Sequence, residues 1–439
     1  MSAAGTLTTT PQAPPAAPRA HRTELLRGGG VWVGAVLAVS VIVAVLARRY
    51  LLFDTWATTQ AALREAGLLL GGPLALAAGC RQGGREHRRY TGDLLASAAR
   101  SPLRRALVAA LPSVAWPVLG HLAATAVCLG VLLPYASYGH PVWHLAAVDA
   151  VALGSLGALG FAAGRALPWR FSPPLAGVAG YVLLGFGVSG YTGAGTAWLS
   201  PANGDWGRFG GDVPVWWAGA LCAVWTAGLA VAALLAGHAR RRALAVLPLA
   251  AAVAAGSVLY GTGDGLLRSD SSATALVCDR ATPAVCVRAT HAGALPAVRA
   301  VVARIDARLA GTPGAPVRYR EGGTGDATPP GEVRFELYGG VFRGHLGDPE
   351  MLYRDFVYAV TTPPGCQGQS HAAGYPAEYA AQEWLDLGKP LFADTAAEER
   401  QAEAAARRLR TLATADRRAW LGRYLAAARV CDTSGVPAP

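Results

Sequence analysis

RQGGREHRRYTGDLLASAARSPLRR, residues 81–105, decides how the rest of the chain is read. Arg81, Arg85, Arg88, Arg89, Arg100, Arg104 and Arg105 crowd into it, and long apolar runs flank it on both sides. Arginine-rich short loops between membrane spans face the cytoplasm. The stretch therefore predicts a polytopic membrane protein with this loop inside the cell.

Composition agrees. The 439 residues are 52% hydrophobic and 15% charged, against roughly 25% charged in soluble domains. Eight Asp and Glu precede residue 261 and twenty follow it, so the first part reads as membrane-embedded and the last as soluble. The net charge of +11 does not imply nucleic acid. The early arginines lie in short loops between apolar runs, where they set topology and meet membrane lipids.

Residues 1–30 are rich in Pro, Ala, Thr and Arg and predict a disordered cytoplasmic arm. A span needs about 20 mostly apolar residues. Candidate spans are 31–47, 66–80, 106–134, 143–166, 174–190, 213–237 and 243–260. The second is short; 56–63 extends it upstream, with Arg64 and Glu65 interrupting. Pro112 and Pro117 are expected to bend the third. With seven spans, residues 31–260 form a permease-like membrane domain. Arg19, Arg22, Arg27, the 81–105 loop, Arg165, Arg170 and Arg240–Arg242 then share the cytoplasmic side. The N-terminus is inside and the C-terminus outside. Trp143, Trp169, Trp198, Trp206, Trp216 and Trp217 near span ends are expected as interfacial anchors.

Residues 261–439 predict an extracytoplasmic α+β domain. Strands are expected at 275–278, 284–288 and 333–338, and helices at 295–309, 350–361, 375–387, 396–412 and 413–430. Four of the seven cysteines, Cys278, Cys286, Cys366 and Cys431, fall here. An even set fits two disulfides in an oxidising compartment. Three pairings are open; the short spacing favours Cys278–Cys286, leaving Cys366 with Cys431.

Enzyme motifs are missing from the sequence: it has no GxxxxGK[ST], no HExxH and no GxSxG. His291, His345 and His371, taken with Glu321, Asp326 and Glu336, match no metal-ligand spacing. No catalytic residue, metal or cofactor is expected. An ionisable group inside a span is a functional candidate by default, which singles out His121 and Asp149. Glycines at 154, 157, 160 and 164 mark close helix packing.

Residues 71–105, with Gly-Pro-Leu-Ala, a basic Arg-Glu-His-Arg stretch, Leu-Leu and Ser-Pro, resemble the second span and elbow of actinobacterial type-2 ABC exporter permeases. Val285-Cys286-Val287 and Arg418-Ala419-Trp420-Leu421, with Cys431, resemble the extracytoplasmic region of permease-like proteins of this group. The chain departs from the usual six spans by a seventh and by its large outer domain. The resemblance implies a separately encoded ABC ATPase as partner and a homodimer or a pairing with a sister permease. It also implies a coupling elbow in which Arg85, Glu86, Arg88 and Arg89 meet the ATPase. Residues 91–105, with Leu94, Leu95 and Leu103 among flanking arginines, read either as a short amphipathic helix at the cytoplasmic interface or as a plain basic loop. The alternative is a membrane-anchored sensor or accessory protein whose outer domain binds an envelope or peptide ligand.

Overall fold

The computed structural model describes residues 25, 29–47, 55–90, 101–188, 194–204, 211–322, 329–337, 341–342, 345–362, 371–386 and 396–439. The N-terminal arm with Arg19, Arg22 and Arg27, residues 91–100, Trp206, Asp326 and Cys366 lie outside them.

Seven apolar helices come first: α1 (Gly30–Ala47), α2 (Trp56–Gly83), α3 (Pro102–Leu132), α4 (Trp143–Ala166), α5 (Ser172–Val188), α6 (Trp216–His238) and α7 (Val246–Thr262). Six of them, α7 being counted with its flanking turns from Arg242 to Leu266, are long and apolar enough to cross a membrane. α5 is the shorter one, with 17 residues. Ser101 caps α3 by accepting from Arg104 N, and Pro102 opens it, a position where the missing N–H costs nothing. Arg104 and Arg105 therefore belong to the first turn of α3. This corrects the expectation that the interfacial elbow helix runs on to residue 105. Pro112 and Pro117 both lie inside α3.

Side-chain contacts fix the directions. Gly34 of α1 meets Trp116 of α3, and Gly160 and Gly164 of α4 meet Leu76 and Cys80 of α2, so each pair is parallel. Gly67 of α2 meets His121 of α3 while Gln82 donates to Ala109 O, and Gly228 of α6 meets Ala252 of α7 while Trp225 meets Gly256, so these pairs are antiparallel. Arg81, Arg85, Arg88, Arg89, Arg104, Arg105, Arg165, Arg170 and Arg240–Arg242 consequently gather at one end of the bundle, and the C-terminal region leaves from the other. Trp143, Trp169 and Trp216 are exposed near helix ends, whereas Trp198 is buried against α4, α6 and α7, so it is core and not an anchor.

The C-terminal region has its own apolar core. Its sheet has the order β3 (Leu276–Cys278), β4 (Ala284–Arg288), β5 (Arg318–Glu321), β6 (Glu332–Phe335). β3 and β4 are antiparallel; β4, β5 and β6 are parallel. The helix α8 (Leu295–Leu309) crosses from β4 to β5 and buries Val298, Val301, Val302, Ile305 and Leu309, one face at helical spacing. α9 (Pro349–Thr361), capped by Asp348, lays Phe356 against Tyr319 and Phe335. α10 (His371–Trp384), α11 (Ala396–Thr411) and α12 (Thr414–Ala428) complete it, with Trp420, Tyr424 and Leu425 buried. Two short pairings bring it to the bundle. β1 (Asp212–Pro214), just before α6, pairs with β2 (Leu267–Ser269), just after α7. Ser137, in the α3–α4 connection, donates to Thr290 O at 2.8 Å.

Cys278 and Cys286 face each other across the β3–β4 hairpin and are disulfide-bonded. Cys431 is also disulfide-bonded. Replacing Cys278 and Cys286 together by Ser is expected to cost about 2–3 kcal/mol through the freed loop. Thermal unfolding without reductant checks this: the double variant melts lower, and reductant removes the difference.

Burial pushes the Tyr375 phenol up to about 12 and raises Tyr319 and Tyr424 as well. A phenol whose folded value is raised holds its proton longer when folded than when unfolded. Its contribution is complete below about pH 10, the ordinary value, and is lost as pH climbs toward 12. Near-UV circular dichroism of the intact protein is therefore expected to collapse across that window.

Candidate functional site

α2 continues straight through Arg64 and Glu65, because the interior of the bundle supplies partners for the guanidinium. Thr55 caps the helix by accepting from Thr58 N. One turn later the Gln60 amide clamps the start of α4: Nε2 donates to Val142 O at 3.0 Å, and Val142 N donates to Oε1 at 2.8 Å. With that register set, Arg64, eight residues into α2, lies level with Asp149, six residues into α4.

The Arg64 side chain is 1% exposed and that of Asp149 5%. Nη1 stands 3.2 Å from Asp149 Oδ1. Nε donates to Pro201 O at 2.8 Å, and Nη2 reaches Cys222 Sγ of α6 at 3.4 Å. On the other side of the carboxylate, His121 Nε2 of α3 is 3.8 Å from Asp149 Oδ2. The His121 ring turns its Nδ1–Cε1 edge toward Gly67 of α2, which leaves room for it; a Cβ there would collide with it. The two candidates singled out within the apolar runs, His121 and Asp149, thus meet, and Arg64 joins them. Desolvating such charges is costly, and their mutual attraction offsets the cost only while all partners stay in place.

Arg64 was visible in the sequence only as an interruption of an apolar run. The available signal was a basic and an acidic residue at similar depth in two candidate spans, which can neutralise each other.

At the arginine-rich end, Arg85–Arg88 form a single helical turn continuing α2. Glu86 accepts from Arg165, in the last turn of α4, at 2.5 Å. Arg88 donates to Arg81 O, and Arg88 and Arg89 are exposed. The elbow is therefore fastened to α2 and α4, the helices that carry Arg64 and Asp149. The sequence treated Glu86 as a partner contact; in the structure it holds the elbow to the bundle.

In the C-terminal region, Glu321, buried on β5, accepts from Arg288 N at 2.8 Å and lies 2.6 Å from His291 Nδ1. This pair sits beside the Ser137–Thr290 contact with the bundle. Among the described residues no group of three His, Cys, Asp or Glu is placed to hold a metal ion. No family model matches the chain, and no curated protein or solved structure matches it.

Proposed function

We propose that the chain is a permease-like subunit of an ABC-type membrane transporter, driven by a separately encoded ATPase. In this reading α1–α7 cross the membrane, the arginine-rich end faces the cytoplasm, and the disulfide-bearing C-terminal region lies outside, where disulfides persist. Two such halves, identical or sister chains, alternate access to a path between them.

The observation that carries the reading is the mechanical link from the elbow to the interior. Arg85–Arg88 extend α2 directly, and Glu86 ties the same turn to α4 through Arg165. α2 and α4 touch backbone to backbone at Gly160 and Gly164 and share the Arg64–Asp149 pair. A push on the elbow from a docked ATPase moves both helices together and reaches the buried charges. The exposed Arg88 and Arg89 offer the docking contacts, and the resemblance of residues 71–105 to exporter permeases points the same way.

Replacing Arg85 and Arg88 together by Ala tests the coupling elbow. Neither side chain is part of a packed core, so membrane yield is expected to hold. Recovery of a co-purifying ATPase is expected to fall at least about tenfold, which corresponds to about 1.4 kcal/mol of binding. Undiminished recovery sinks the elbow as the docking site.

A further inference from the structure

We propose that His121 and Asp149 form a proton-binding site inside the helical bundle, where uptake of one proton by His121 draws the Asp149 carboxylate from Arg64. This goes beyond the transporter reading and stands whether or not an ATPase binds.

The geometry places one carboxylate between two bases. Asp149 Oδ1 is 3.2 Å from Arg64 Nη1, yet the contact is not aligned as a hydrogen bond, and Oδ1 has no hydrogen-bond partner among the described residues. Oδ2 is 3.8 Å from His121 Nε2, beyond the roughly 2.7–3.2 Å of a hydrogen bond. The His121 side chain is 1% exposed, and neither of its ring nitrogens has a hydrogen-bond partner among the described residues. Buried polar atoms are rarely left so. A shift of under about 1 Å closes the gap to a charge-assisted bond.

Arg64 keeps two of its contacts through the exchange. Its Nε bond to Pro201 O and its contact with Cys222 Sγ do not involve Asp149. The other titratable groups nearby are Glu65 on α2, His144 at the start of α4, Cys128 on α3 and Cys222 on α6. α1 carries none and α5 only the exposed Tyr181. Proton uptake adds one positive charge to the cluster. The proton comes from the aqueous phase, forms one N–H bond on the imidazole ring, and breaks no other bond in the protein. Asp149 remains a carboxylate.

Two more buried hydroxyls lie on the same helices. Thr125 lies one turn beyond His121 toward the end that carries the C-terminal region, and Thr59 lies in the first turns of α2 at that end. Both are buried, and neither hydroxyl has a hydrogen-bond partner among the described residues.

Solid-state NMR of the full-length protein in lipid bilayers, labelled with ¹⁵N-histidine and ¹³C-aspartate, tests the proposal. Loss of its signal in His121→Gln identifies the His121 ring, and dipolar recoupling to aspartate then reads its approach to Asp149, 3.8 Å away. Spectra are taken at about pH 8 and about pH 5, on either side of the ordinary histidine range; the expected result is a ring that carries the added proton at the lower pH, with stronger recoupling there. In Asp149→Asn the His121 ring, identified by its loss in His121→Gln, is expected to stay neutral across that range. A wild-type ring that stays neutral down to pH 5 overturns the proposal. So does a ring that becomes charged with unchanged recoupling, because Asp149 then takes no part.

Discussion

Arg64→Ala is expected to leave little folded protein. The substitution removes the cation that neutralises Asp149, and it strands a carboxylate that is 5% exposed and lacks an aligned hydrogen bond. It also deprives Pro201 O of its donor. Breaking a buried ion pair from one side costs about 3–5 kcal/mol, a large part of the 5–15 kcal/mol that holds a typical domain together. The cost is mostly the uncompensated charge, so it is largely reversible. Arg64→Met with Asp149→Leu, which removes both charges together, is expected to recover most of the monodisperse yield by size-exclusion chromatography. Arg64→Lys recovers less, because an ammonium lacks the fork that reaches Asp149, Pro201 and Cys222 together. If Arg64→Ala matches the parent in yield and melting temperature, the pair is not what holds α2 to α4.

Gly164→Leu is expected to be as damaging for a different reason. A Cβ at Gly164 falls on the backbone carbonyl of Cys80, and one at Gly160 on that of Leu76. Flexible side chains can move aside; these obstacles are main chain in the last two turns of α2. The helices must separate, which loosens the packing along their shared length and pulls the Glu86–Arg165 tie with it. Overpacking costs about 1–3 kcal/mol in ordinary cores and more where nothing can yield. Gly185→Leu is the control, since nothing lies within contact of a Cβ there. Thermal stability in detergent should fall sharply for Gly164→Leu and stay near the parent for Gly185→Leu.

The parts of this fold legible in the sequence are those where local pattern and tertiary environment agree. Residues 143–166 read as one helix because Asp149 is the one charged residue between His144 and Arg165 in an otherwise apolar run. Residues 295–309 repeat apolar side chains at the spacing that α8 buries. α2 was half legible: Arg64 and Glu65 look like a break to any local measure of hydropathy. The carbonyl that receives Arg64 Nε lies 137 residues away. β5 was missed because Arg-Tyr-Arg-Glu reads as a charged loop. It is a strand because β4 and β6 pair with it on both sides, Tyr319 fills the core, and His291 and Arg288 N satisfy Glu321. His121 and Asp149 could be named from their place in apolar runs, but their meeting depends on the Gln60 clamp and on Gly67, which no spacing reveals.

The most direct test of the proposed function is recovery of the full-length protein from its native membrane in mild detergent, with mass spectrometry of what accompanies it. A P-loop ATPase in near-equal amount is the predicted result. Envelope or regulatory proteins recovered reproducibly with no ATPase would contradict it and make the C-terminal region the receptor of a sensor.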